Sequence, residues 1–219
     1  MIVILEPIQL YCGRTGPGLF AEPLNVAASF IYLGLAVVLW RRSQQLRLLR
    51  QMAVLMALLC VTAVWLHVLP SDAALAATLT VILGLVLVYF HAANRDMVGL
   101  SPGLSVAAAA MILPFLATSL PLVALLPGAG GSAAYAVLPI LLLGYAAVLR
   151  QTCPRTARGL LVAALILTVA IGFRTVDMPL CGVWPHGTHF LWILGIAALV
   201  WQLAQVYRRH MLAGPDGGG

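Results

Sequence analysis

Long apolar stretches, separated by short polar, proline- or glycine-bearing segments, organise this chain from residue 24 almost to its end. A helix needs about 17–25 apolar residues to cross the hydrocarbon of a bilayer. Runs of that kind fall near 24–40, 52–69, 73–91, 104–126, 133–149, 159–173 and 188–206. Backbone in hydrocarbon must satisfy its own N–H and C=O groups, so each run is predicted to be a helix. Pro114 and Pro121 predict a kink or an early exit in the fourth run. The sixth run is short unless Arg174 lies at its mouth. Seven spans are expected, with six as the alternative. The expected organisation is an outer N-terminal segment over 1–23, a seven-helix all-α transmembrane bundle over 24–210, and a flexible C-terminal tail over 211–219.

Composition narrows the class in the same direction. The chain is 63% hydrophobic and 8% charged, with a mean hydropathy of +1.04. A soluble domain carries about 25% charged residues, so a soluble reading has no support. No apolar segment with a basic flank and a small-residue cleavage site opens the chain, and the mature protein is expected to begin near Met1.

Charge sets the expected direction of threading. All twelve basic residues are arginines. Seven spans place Arg41, Arg42, Arg47, Arg50, Arg95, Arg150, Arg155, Arg158, Arg208 and Arg209 on one side, and Arg14 and Arg174 on the other. Positive residues in short loops favour the cytoplasm. The N-terminus is therefore expected outside and the C-terminus in the cytoplasm. The net charge of +6 becomes a signal of topology, and no nucleic-acid partner is expected, because no basic domain with interleaved aromatics is present.

That topology sorts the cysteines. Cys12 and Cys181 fall in outer segments, Cys60 within the second span and Cys153 in a cytoplasmic loop. Only the first two share an oxidising compartment if the host is a bacterial inner membrane or a secretory pathway. A Cys12–Cys181 disulfide is expected, two free thiols being the alternative. It would tie the N-terminal segment to the loop before the last helix.

Polar groups at membrane depth are costly and are candidate functional groups. His67 near the end of the second span and His189 at the start of the seventh should face one outer layer. Glu22, Asn25, Arg174, Asp177 and His186 are within reach of it by sequence. The bland alternative has each histidine bonded to a carbonyl and each carboxylate capping a helix or paired with an arginine.

Two blocks resemble the bacterial members of the alkaline ceramidase family. One is Tyr11-Cys12-Gly13-Arg14 followed by Pro17 to Asn25; the other is Arg174, Asp177, Pro179-Leu180-Cys181 and Pro185-His186-Gly187-Thr188-His189-Phe190-Leu191-Trp192. The resemblance implies a seven-helix zinc amidase acting on ceramide or related lipid amides. It implies one zinc-ligating histidine on the second helix and two on the last, four residues apart so that both share a face. Three protein ligands leave a position for water, whose pKa zinc lowers. The family also uses a serine four residues before the first histidine, an aspartate eleven after it, and an N-terminal acidic calcium site.

Carried over residue by residue, His67 and His189 match two ligands, but the third position is Ile193. Ala63 stands for the serine and Thr78 for the aspartate, while Thr62 is one residue, about 100°, out of register. Glu22 and Asn25 remain from the calcium-like site, with Gly13 in place of a glutamate, and calcium is not expected. Two histidines make a weak zinc site, and catalysis without an oxyanion donor or an acid–base group should lose several orders of magnitude. His186 is a candidate replacement ligand, with Asp72 or Asp177 as ligand or base. The readings that stand are a lipid-amide hydrolase with an altered metal site, and a non-catalytic relative that binds lipid or a partner. A transporter or proton relay is a distant third.

The remaining features have plain explanations. The tryptophans at 40, 65, 184, 192 and 201 fit interfacial belts or packing faces. The run Ala107–Ala110 permits close helix approach, within the chain or between copies. His91 is expected to be interfacial, and Gly128–Gly131 to form an outer loop.

Overall fold

The structure is a computed structural model that describes residues 11–14, 18, 20–43, 46–125 and 132–213. Gly128–Gly131 and the tail from Gly214 lie outside the described residues. Among the described residues eight α-helices follow in order: α1 Pro23–Arg41, α2 Arg47–Val68, α3 Asp72–Ala92, α4 Pro102–Ala110, α5 Ile112–Ala124, α6 Ala133–Leu149, α7 Pro154–Val176 and α8 His189–Ala213. Among the described residues six helical stretches are long and apolar enough to cross a membrane: Pro23–Arg41, Arg47–Val68, Asp72–Met97, Pro102–Ser119, Pro154–Val176 and His189–Ala213. A seventh, Tyr135–Leu149, is apolar but shorter. Val61, Val148 and Leu165 are exposed on these helices, which are apolar on their outward faces as well as inside. Helices apolar all round belong in hydrocarbon. The chain is a multi-pass α-helical membrane protein.

Several boundaries differ from the expected ones. The fourth run divides at Met111. Pro114 lacks an N–H for the carbonyl of Ala110, four residues back, which is where α4 ends. Pro121 is accommodated within α5. The sixth run is not short, because α7 runs 23 residues and takes in Arg174, expected in the loop, in its last turn. The last helix also continues past 206, and past the expected start of the tail, to Ala213. Beyond α3 a π turn spans Ala93–Met97, closed by Val98 N–H donating to the Ala93 carbonyl at 3.0 Å.

Long-range contacts define two ends. At one, the Cys12–Cys181 disulfide, His67, Tyr135 and His189 gather from the N-terminal segment, α2, α6 and α8. At the other, Tyr207 of α8 donates to Asp96 at 2.5 Å, and His210 meets Thr156 of α7 at 3.0 Å. Between them Leu39, Leu49, Met52, Met56, Leu59, Leu160 and Leu167 form a fully buried core. Small residues bring α7 against α8: a Cβ on Gly195 would lie 2.6 Å from Ala170 Cβ, and one on Gly159 2.5 Å from Val206 Cγ2. Such residues let membrane helices pack at backbone distance.

Candidate functional site at the disulfide end

The site is built on three helix ends and one strap. Glu22 immediately precedes α1, whose first residue is Pro23; proline fits there because the N–H it lacks has no partner inside the helix. His67 stands in the last turn of α2, and His189 begins α8. The strap is residues 11–14, held at Cys12 by its disulfide to Cys181, with a Cα–Cα distance of 5.5 Å. The expected pairing of these two cysteines is present, while Cys60 and Cys153 are free.

Asp177, just past α7, anchors the strap. It is 2% exposed and accepts three backbone N–H groups: Cys12 at 2.9 Å, Thr188 at 2.6 Å and His189 at 2.9 Å. A carboxylate there faces the positive end of α8 as well as its unpaired amides. Gly187 passes against Asp177 with φ +66°, where a Cβ would strike the carboxylate. Asp177, a candidate ligand or base by sequence, is engaged here as an acceptor for backbone amides.

Glu22 is the centre of the polar layer and is 4% exposed. Its Oε1 accepts from Arg14 Nη1 at 2.8 Å. Its Oε2 lies 2.7 Å from His67 Nδ1 and accepts from Asn25 Nδ2 at 3.0 Å. Burial pushes the Glu22 carboxyl up, but His67, Asn25 and Arg14 outweigh it and hold the group below the ordinary glutamate value. An ionised carboxylate only accepts, so the Nδ1 proton of His67 belongs to this bond. Arg14 also donates to the His67 carbonyl at 3.3 Å. The expected calcium-like remnant, Glu22 and Asn25, is thus turned inward onto an arginine and a histidine.

The two histidines meet edge to face, with ring centroids 5.4 Å apart. Tyr11 lies over His189 at 3.6 Å between centroids and 5.4 Å from the His67 ring. Arg174 reaches the same ring: its guanidinium carbon is 5.4 Å from Tyr11, 5.2 Å from Tyr135 and 5.4 Å from Trp192. Trp192 is 4% exposed, so this one of the five tryptophans is a buried site residue rather than a belt residue.

The remaining expected positions are inert or distant. Ile193 is 2% exposed, and Ala63 is buried one turn before His67. Thr78 donates its hydroxyl to the Ala74 carbonyl at 2.8 Å, inside its own helix. His186 is exposed in the loop before α8, and Asp72 is exposed at the start of α3, which Ser71 caps. Among the described residues no group of three His, Cys, Asp or Glu could hold a metal ion. With His67 Nδ1 bonded to Glu22, Tyr11 stacked on His189 and an aliphatic side chain at 193, the described residues bring two imidazoles together without a third ligand. His186, the candidate replacement ligand, stands apart from the buried histidine pair in that exposed loop.

Sequence reasoning missed the partnership of Arg14 with Glu22, the stacking of Tyr11 and the aromatic surroundings of Arg174. A signal existed for Tyr11: a disulfide at Cys12 carries its neighbour to the loop before α8. Comparison with models of known families, with curated proteins and with solved structures returns no match to this chain.

Proposed function

We propose that this protein is a ceramidase-like membrane protein that keeps the scaffold of a lipid-amide hydrolase, has lost its zinc chemistry, and binds lipid at the disulfide end. The observation that carries the reading is the pairing of His67 and His189, 5.4 Å apart, with buried Ile193 at the third ligand position of the resemblance. A metal-dependent amidase needs a metal-held water, an oxyanion donor and a proton carrier. Here Ile193, Ala63 and Thr78 occupy the positions from which these would come.

The seven-span plan with an outer N-terminus belongs to the same proposal. Glu22 before α1 and His210 near the end of α8 lie at opposite ends of the molecule, as an odd number of crossings requires. α6, at 17 residues, is at the lower limit for a span. The end with Arg42, Arg95 and Arg209 is read as cytoplasmic, in a bacterial inner membrane.

The close Glu22–His67 pair favours a second reading, an active hydrolase with an altered site, since carboxylates commonly orient catalytic or metal-bound imidazoles. One experiment separates the two. Purified protein should carry no stoichiometric zinc and release no fatty acid from ceramides or acyl-amides, and the variant Ile193→His, Ala63→Ser, Thr78→Asp should gain zinc. Near-stoichiometric zinc in the natural chain that is lost in His67→Ala, or amide hydrolysis, overturns the proposal.

A further inference from the structure

Among the described residues no carboxylate forms an ion pair with Arg174. Its guanidinium lies among the rings of Tyr11, Tyr135 and Trp192, and its buried Nε has no hydrogen-bond partner. Of the described carboxylates at this end of the bundle, Asp72 is exposed at the start of α3, and the two buried ones are committed elsewhere. Asp177, one turn further on, is used by the amides of Cys12, Thr188 and His189. Glu22 is used by Arg14, Asn25 and His67. Aromatic faces attract a guanidinium but accept none of its five N–H donors in the way an oxyanion does. A cation at membrane depth normally finds such a partner.

An apolar space continues from the same place. Tyr135, one wall of the aromatic surround, also lines a small cavity of about 70 Å³. Its other walls include Ile82 and Phe90 of α3, Leu142 of α6 and Leu199 of α8. From Ile82 to Phe90 the cavity follows α3 for about 12 Å. Its lining is almost wholly aliphatic and aromatic.

We infer that Arg174 binds the head group of an anionic single-chain amphiphile, a carboxylate, sulfate or phosphate, whose alkyl chain enters the cavity past Tyr135. The inference rests on the lipid-binding reading above and adds the sign of the head group and the number of chains. An oxyanion completes the donors of Arg174 in the paired geometry that guanidinium groups favour.

The test uses the full chain in nanodiscs of neutral phosphatidylcholine and tritiated palmitate as probe. Saturable binding near one per chain is expected, displaced by hexadecyl phosphate and not by hexadecanol or inorganic phosphate. Arg174→Gln should weaken it at least about tenfold, the loss of a charge-assisted hydrogen bond, and Arg174→Lys less. Leu142→Trp, which fills the cavity and keeps the arginine, should also weaken it. That variant guards against misfolding of the arginine variants. Equal displacement by hexadecanol, equal displacement by inorganic phosphate, or no saturable palmitate binding overturns the inference and leaves the zinc result standing. Zinc or ceramide hydrolysis in the same preparation overturns the proposed function and leaves the charge-selective site standing.

Discussion

Tyr11 lies face to face with His189, their ring centroids 3.6 Å apart and their planes 24° from parallel. A residue from the N-terminal strap thus covers the first residue of α8, so the two ends of the chain meet over the polar layer. The covering ring also faces Arg174, making Tyr11 common to the histidine pair and the arginine. Three local facts produce the arrangement: the disulfide at Cys12, the Asp177 carboxylate that takes the Cys12 amide, and the tight passage of Gly13 against the Pro185 and His186 carbonyls.

Asp177→Asn should loosen that passage. The amide nitrogen of asparagine must face at least one backbone N–H that the carboxylate now accepts, leaving a buried donor without a partner. The cost is about 1–3 kcal/mol. Amide exchange at Cys12, Thr188 and His189 should accelerate together. Unchanged exchange at all three sites would show that the carboxylate is not their acceptor.

Glu22 makes stability depend on acid. Its folded-state pKa lies below the ordinary value because His67, Asn25 and Arg14 favour its charged form against the opposing effect of burial. A depressed carboxylate contributes stability that is present above its unfolded value, about 4.3, and is lost as pH falls through the lower folded value. The melting temperature should therefore drop from about pH 4.3 downward. Glu22→Gln should be less stable at pH 7 and show a shallower acid decline. Parallel acid profiles for the two proteins would remove Glu22 as the source.

Close packing of α7 on α8 should be felt through a single methyl group. Gly195→Ala places a Cβ 2.6 Å from that of Ala170, which forces the helices apart at a cost of about 1–3 kcal/mol. Gly172→Ala, on α7 with nothing within 4 Å, is the control and should not destabilise. Thermal unfolding in detergent compares the pair; equal midpoints would mean that α7 and α8 do not meet at Gly195.

What could be read in advance follows from how local each feature is. Apolar runs report the helices because every residue of a span meets hydrocarbon or core, and the histidine pair and cysteine pair followed from counting which end each segment reaches. Asp177 looked like a candidate ligand because its carboxylate is rare at that depth; its three amide partners come from segments up to 165 residues away. An arginine partner for Glu22 was among the alternatives, but nothing in the neighbourhood of Arg14 specifies that it reaches both Glu22 and the carbonyl of His67. Arg174 was placed in a loop because the apolar run stops before it, whereas α7 carries its polar final turn among Tyr11, Tyr135 and Trp192. The break at Met111 was foreshadowed by Pro114, whose missing N–H cannot serve the carbonyl four residues back, where α4 ends.

The disulfide also imposes an order of manufacture. Cys181 is synthesised 169 residues after Cys12, an interval on the order of ten seconds at ordinary translation rates. During that interval the Cys12 thiol has no mate, and neither Tyr11 nor the Cys12 amide has the surface it will rest on. Glu22, Arg14 and His67 can already associate, because all three precede α3. The polar layer is therefore finished in two instalments, and a ribosome stalled before residue 181 displays the first without the second.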